Sequence, residues 1–195
     1  EFGDVPFSYL ITSLKARSIV KLIASMVCER RIIISSIDLP RLSFCVMGLY
    51  AALYPFAWHN ILIPLLPESL LHYCCAPMPF IVGIHSDSLV ALEAMPLEEL
   101  VFVDLDYDRV ASAESFDDDI SLLPSPAVSM LKSNLKALRS ATKKSGTCDN
   151  QAVSKAFLHF WINIFGSYKQ HLITNDDQTK AFDRDGFELA QPKPY

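Results

Sequence analysis

Along the first 110 residues, apolar positions alternate between a helical and a strand period. Ile19, Leu22, Ile23, Met26 and Val27 recur at three- and four-residue spacing. This predicts a helix with Ser18 as N-cap, ending at Glu29-Arg30-Arg31, where cations suit the carbonyl-rich terminus. Ile32-Ile33-Ile34-Ser35-Ser36 follows, short and β-branched, as expected of a buried strand. Asp38 then caps a second helix carrying Leu42, Cys45, Val46, Leu49 and Leu53, and Pro55 ends it. Ile61-Leu62-Ile63 predicts a second strand. Pro67-Glu68-Ser69 opens a short helix through Tyr73, Phe80-Ile81-Val82-Gly83-Ile84 reads as a third strand, and Leu100-Val101-Phe102-Val103-Asp104 as a fourth. Strands apolar at every position and separated by helices predict an α/β fold, with a mostly parallel sheet covered by helices on both faces.

The character changes at Ala111. Residues 114–119 form an acidic Ser/Asp stretch, and helical spacing returns over 127–142 and 152–173. Between these helices lies a polar hinge, Lys143-Lys144-Ser145-Gly146-Thr147-Cys148-Asp149-Asn150. Residues 1–110 hold 7 basic and 12 acidic residues, whereas 111–195 hold 10 of each. Residues 111–195 are therefore expected to be a mainly helical section, either a separate module or an added layer. On the last helix, Val153, Ala156, Phe157, Phe160, Trp161, Ile164, Phe165, Tyr168 and Leu172 predict a broad aromatic face packed on the sheet layer. The tail from Asn175 is polar, with Phe182 and Phe187, and closes on Pro192-Lys193-Pro194-Tyr195. The first residues carry neither an initiator Met nor a basic leader, so the chain reads as a piece of a longer protein.

Composition narrows the function classes. Hydrophobic residues make up 51% of the 195 and charged residues 20%, with a mean hydropathy of +0.25, which excludes a disordered chain. The formal net charge of −5 argues against a dedicated nucleic-acid binder. The longest apolar stretch, 42–66, is interrupted by Pro55, Trp58-His59-Asn60 and Pro64, so no bilayer span is expected. Five cysteines without a C-x-x-C pair read as reduced, mostly core residues of a cytoplasmic protein.

The chain lacks G-x-G-x-x-G, G-x-x-x-x-G-K-[ST] and G-x-S-x-G, so neither a phosphate-cradling loop nor a nucleophile elbow is visible. No cofactor or metal is expected. Asp104, Asp106 and Asp108 alternate at a strand exit, where open α/β sheets bind ligands, and would share one face of a half-buried strand. Such a cluster would hold Mg²⁺, but a solvated strand exit is the commoner fate of these residues. His85-Ser86-Asp87-Ser88 reads as a helix cap at Ser86 or Asp87 rather than as a triad, which must be assembled in space. Lys132, Lys136, Arg139, Lys143 and Lys144 form one helix stripe opposite Val128, Leu131, Leu135 and Leu138. This stripe is either an ordinary solvated face or the contact for an acidic partner or anionic membrane surface.

One ordered series is more specific. Glu29-Arg30-Arg31-Ile32-Ile33-Ile34-Ser35-Ser36 is followed by Leu42-Ser43, Leu53-Tyr54-Pro55-Phe56-Ala57-Trp58 and Ile63-Pro64-Leu65-Leu66-Pro67. Then come Ala76-Pro77-Met78-Pro79-Phe80-Ile81-Val82-Gly83-Ile84-His85-Ser86 and Val103-Asp104-Leu105-Asp106. The series resembles the central (cDENN) section of a DENN domain and covers 7–110. The remainder, with Phe182-Asp183-Arg184-Asp185-Gly186-Phe187, resembles the helical downstream (dDENN) section cut short. The resemblance implies a Rossmann-like or flavodoxin-like lobe, with cDENN over 1–110 and dDENN over 111–195. It also implies guanine-nucleotide exchange on a Rab-family small GTPase, peripherally on trafficking membranes and without covalent chemistry. The GTPase would sit between this lobe and an upstream longin-like (uDENN) lobe.

Tyr54, Phe56, Trp58, His59, Asn60, Pro77 and Pro79 fall in the strongest family marks and are the implied GTPase contacts. Family members often read Trp-x-His where this chain has Trp58-His59-Asn60, so either Asn60 orders the turn or His59 reaches round. The alternative is a non-exchanging DENN-like scaffold or a component of a GTPase-activating complex. The latter would need an arginine finger from Arg30, Arg31, Arg41 or Arg109. An α/β enzyme using Asp104 and Asp106 with Mg²⁺ is the third reading.

Overall fold

The computed structural model describes residues 7–97, 99–113, 116, 119–174 and 179–192. Most of the acidic stretch at 114–119 and the closing residues 193–195 lie outside them. Two helices, α1 (Phe7–Ser13) and α2 (Ala16–Val27), lead into β1 (Arg31–Ser36). The sequence Ser25 to Arg30 closes α2 as a Schellman turn. Arg30 N–H donates to the Ser25 carbonyl at 2.9 Å and Glu29 N–H to that of Met26 at 3.0 Å. Glu29 takes the left-handed position, φ 52°, that usually falls to glycine. Arg30 does not face the α2 carbonyls. It turns to Asp119.

Helix α3 (Leu39–Ala52) is capped by Asp38, whose carboxylate accepts from Arg41 N–H. Strands β2 (Ile61–Ile63), β3 (Phe80–His85) and β4 (Val101–Asp104) follow, separated by a 3-10 helix (Glu68–Cys75) and by α4 (Leu89–Glu93). β5 (Arg109–Ser112) completes a sheet ordered β2-β3-β1-β4-β5, in which β2, β3, β1 and β4 run parallel and β5 antiparallel. The expected α/β fold and mostly parallel sheet are present. The antiparallel β5 was not expected, because its four residues are polar or small and alternate exposed with half-buried.

Side chains alternate across the sheet and make two cores. Ile32, Ile34, Ile81, Val101 and Val103 face α1, α2, α3, α5 (Ser125–Ser145) and α6 (Asn150–Phe165) in one continuous cluster. Ile33, Phe80, Val82 and Ile84 face the 3-10 helix and α4, meeting Leu66, Leu71, Cys74 and Leu92. Gly83 lets the chain after β2 press against β3, with Leu66 N–H donating to the Gly83 carbonyl at 2.7 Å. A Cβ on Gly83 would collide with the Pro64 carbonyl.

Several local expectations are corrected. Ser18 is not an N-cap; it lies buried inside α2, and Lys15 holds the cap position without a side-chain bond. His85, not Ser86 or Asp87, caps the 3-10 turn Ser86–Ser88. Its Nδ1 accepts from Asp87 N–H at 3.3 Å while Nε2 lies 3.0 Å from the Ile37 carbonyl, an arrangement that a neutral ring protonated on Nε2 satisfies at both ends. The last long helix ends at Phe165, not near 173; it packs on α1, α3 and α5, and its buried residues join the core on that face of the sheet. A Cβ at Gly166 would meet the Ile162 carbonyl, and the chain leaves the helix there. Tyr168 therefore lies in a 3-10 turn (Tyr168–His171), exposed, and Leu172 opens β6 (Leu172–Thr174). β6 pairs with β7 (Lys180–Phe182), and α7 (Arg184–Ala190) follows, capped by Asp183.

Candidate functional site

The parallel register decides where the candidate residues meet. Arg31 of β1 and Ile61 of β2 both pair with Phe80 of β3, so the three strands start level. The segments leading into them, residues 28–30, 53–60 and 76–79, lie along one edge of the sheet, the amino-terminal edge. Tyr54, Phe56, Trp58, His59, Asn60, Pro77 and Pro79 all belong to these segments.

Trp58, Asn60 and Phe56 are held by different neighbours. Trp58 packs its ring on the main core and donates its Nε1–H to the Ile61 carbonyl at 3.0 Å, which fixes the loop against β2. Asn60 Nδ2 donates to Glu29 Oε1 at 3.2 Å, tying the loop to the α2–β1 turn, while His59 points to solvent. Asn60 thus orders the turn. Phe56 is 45% exposed and meets Trp161 and Phe165 edge-on, at 5.3 and 5.0 Å between centroids. With Tyr168 and Phe182 these rings bound an apolar depression of about 570 Å³. Tyr54 lies toward α6, beside Gln151 and Lys155. Pro77 is exposed, Pro79 half-buried, and Met78 between them 51% exposed. Val27 and Tyr73 add exposed apolar area. The edge thus exposes aromatic and apolar side chains of the kind that anchor protein contacts.

The opposite, carboxyl-terminal edge carries the carboxylates. Asp104 ends β4, and residues 105–108 turn into β5, so Asp104, Asp106 and Asp108 do not share a strand face. Asp104 Oδ1 accepts from the amides of Asp106 and Tyr107 at 2.9 and 3.1 Å. Asp106 accepts from Ser36 Oγ at 2.9 Å, Ile37 N–H at 2.9 Å, Arg41 Nη1 at 2.8 Å and Ser86 Oγ at 3.4 Å, stitching together the ends of β1, β3 and β4. Asp108 turns away to accept from Lys15 N–H and Ser18 Oγ, with Lys15 Nζ 3.0 Å distant. Burial opposes its charge, yet the Lys15 amide and ammonium and the Ser18 hydroxyl hold its carboxyl below the ordinary value. These carboxylates are not a free, solvated strand exit, and they do not share the one strand face that their spacing suggested. They are structural acceptors, and no three His, Cys, Asp or Glu among the described residues group to hold a metal.

This edge presents two residues that the sequence reading missed. Ile37 is 65% and Tyr107 75% exposed, on backbone pinned by Asp106 and Asp104 respectively. Their signal was a large apolar residue beside an acid that caps or turns the chain. The buried thiols of Cys45 and Cys74 are not activated. Burial pushes Cys45 up to about 12 and Cys74 to about 11.

The third surface is basic. Lys132, Lys136, Arg139 and Lys143 line a depression between α5 and the start of α2, where Arg17 joins them; Lys144 sits in the last turn of α5 outside that lining. Sequence periodicity placed the α5 stripe but not the cations of α2, which are adjacent only in space. No described helix is long and apolar enough to cross a membrane.

Comparison with known proteins agrees with the fold. The family profile described as "DENN (AEX-3) domain" matches residues 2–108. DENN domain-containing protein 1B of Mus musculus is 40% identical over 170 residues, which cover 87% of this chain and 21% of the relative. DENN domain-containing protein 2B of Homo sapiens is 34% identical over 194 residues, 95% of this chain and 17% of the relative. DENN domain-containing protein 1A of Xenopus laevis is 36% identical over 170 residues, 87% and 16% respectively. The chain thus spans about a fifth of the length of these curated relatives.

Proposed function

The chain belongs to the DENN (AEX-3) domain family, and on that premise we propose that it is part of a guanine-nucleotide exchange factor for a Rab-family small GTPase. The observation that supports the reading is that strand register sets both family-marked segments at the amino-terminal edge of the sheet, where Tyr54, Phe56 and Met78 are exposed. Trp58 and Asn60 hold this surface by hydrogen bonds to Ile61 and Glu29. Exchange requires such a surface and no nucleophile. The exchanger binds the nucleotide-free GTPase more tightly than the GDP-bound form, and the difference lowers the barrier to GDP release. A ten-thousandfold acceleration corresponds to about 5.5 kcal/mol of differential binding. A few desolvated aromatic anchors in a water-excluding rim supply energies of that order.

Tyr54, Phe56, Trp58, His59, Asn60, Pro77 and Pro79 form this lobe's share of the grip, with Met78 as the exposed tip of the turn. An upstream longin-like lobe supplies the other wall, and the work is done in the cytoplasm at the surface of trafficking membranes. The GTPase-activating alternative has few arginines to offer. Arg30 forks onto Asp119, Arg41 pairs with Asp106 and Asp38, and Arg31 donates to the Glu99 carbonyl.

The test mixes the intact DENN region with a panel of Rab GTPases preloaded with fluorescent GDP. Accelerated release from at least one Rab supports the reading. No acceleration across the panel, with GTP hydrolysis stimulated and lost on Arg109→Ala, would replace it by the activating one.

A further inference from the structure

We propose that Glu29 is a positioning residue of the amino-terminal edge: through Asn60, its carboxylate sets the loop that carries Tyr54, Phe56, Trp58 and His59. The inference rests on the exchange reading above and adds to it a residue that was not among the implied contacts. The backbone around Glu29 is fixed from both sides. Cys28 N–H donates to the Ala24 carbonyl at 3.0 Å and Arg30 N–H to that of Ser25 at 2.9 Å. The Arg30 guanidinium is in turn clamped on Asp119. Between them Glu29 stands at φ 52°, a left-handed conformation in which a Cβ crowds the following carbonyl. Glycine closes such turns without that cost, so a glutamate here is locally unfavourable. Backbone outliers of this kind gather at functional sites, where the side chain does something that glycine cannot.

Here the side chain bridges. Glu29 Oε1 accepts from Asn60 Nδ2 at 3.2 Å. Glu29 leads into β1 and Asn60 into β2, two strands that β3 keeps apart. The bond therefore joins two entries to the sheet that share no backbone ladder. Trp58 Nε1–H, on the Ile61 carbonyl, ties the loop to its own strand. Asn60 ties it across to the fixed α2–β1 turn. Glu29 also shares the wall of a depression of about 220 Å³ with Phe56, Trp58 and His59, and it is the one carboxylate among the lining residues. Without the carboxylate, the loop loses its cross-sheet anchor. A docking loop that must be ordered at the moment of binding weakens the complex. An exchanger feels that loss most in the nucleotide-free complex, where it grips hardest.

The test compares Glu29→Gly and Glu29→Gln in the intact DENN region by three readouts: melting temperature, amide hydrogen exchange over residues 56–60, and GDP release from the responsive Rab. Glycine relieves the backbone and removes the acceptor. The account predicts that its melting temperature does not fall, that residues 56–60 exchange roughly tenfold faster, and that GDP release slows roughly tenfold. Glutamine keeps the backbone cost and an amide oxygen in place of the carboxylate oxygen. It retains both the protection and the release rate within about threefold. Asn60→Ala reproduces the glycine variant, and the double variant Glu29→Gly/Asn60→Ala falls no further, since the two residues act as one unit. A lowered melting temperature for Glu29→Gly, with GDP release unchanged, overturns the proposal and leaves Glu29 a stabiliser of the turn. Unchanged protection over 56–60 overturns it too. So does Glu29→Gln losing as much release as Glu29→Gly, which would mean that the charge itself meets a cation of the GTPase. If no Rab responds, the exchange reading fails on its own, and the protection of residues 56–60 alone then decides whether Glu29 positions the loop.

Discussion

Arg30 shows how a residue can look available in sequence and be structural in space. Its Nε and Nη2 fork onto Asp119, the closest contact 2.7 Å, and its guanidinium lies 4.0 Å over the Phe116 ring. Asp119 is only 3% exposed. Removing the cation strands a buried carboxylate, so Arg30→Ala destabilises by about 3 kcal/mol or more. Arg30→Ala/Asp119→Leu, which removes both charges, recovers much of that loss in urea unfolding. A double variant no more stable than the single would contradict the pairing. Asp108 makes the corresponding acid-side prediction. Its folded pKa is depressed, so its stabilisation is complete above the unfolded carboxyl value. It is lost as pH falls below the ordinary carboxyl value and through the depressed folded one. Asn tolerates the left-handed backbone at this position (φ 51°). Asp108→Asn therefore has a lower melting temperature at neutral pH and a flatter acid limb, and an unchanged acid limb would refute the assignment.

At the scale of elements, the contrast lies between the two edges of the sheet. In the intact DENN region, Met78→Glu or His59→Glu at the amino-terminal edge lowers GDP release by roughly 30-fold, the cost of losing one anchor. Ile37→Ala and Tyr107→Ala at the carboxyl-terminal edge leave it unchanged, and the reverse pattern would move the docking surface across the sheet. The four parallel strands were legible because each is a continuous apolar run, and parallel strands buried on both faces show that pattern. β5 was not, because a short edge strand needs only half its side chains apolar, and Arg109 and Ala111 face outward. The end of α6 was misread because Tyr168 and Leu172 continue the helical period by composition alone. The helix closes at Gly166, whose N–H still donates to the Ile162 carbonyl at 2.7 Å, and the chain beyond it tightens into a 3-10 turn, a change that spacing cannot encode. The candidate residues of 54–60 and 77–79 were legible as motifs. That they share an edge follows only from strand register, and the partnership of Arg17 with Lys136 only from helix packing.

As a whole, the lobe is a scaffold in which Arg30 and Arg41 are bound to Asp119 and Asp106, and both edges of the sheet carry exposed apolar groups, Phe56 and Met78 at one and Ile37 and Tyr107 at the other. On the proposed reading it is one wall of a cleft. The chain by itself therefore accelerates GDP release weakly or not at all, and addition of the upstream lobe restores it; strong exchange by these 195 residues alone would refute the two-walled cleft. The central claim is that the DENN region discriminates between states of a molecular switch. The direct measurement is its affinity, by titration calorimetry, for the responsive Rab stripped of nucleotide and for the same Rab loaded with GDP. The account predicts a ratio on the order of ten-thousandfold in favour of the empty form. Equal affinity for the two forms would contradict it.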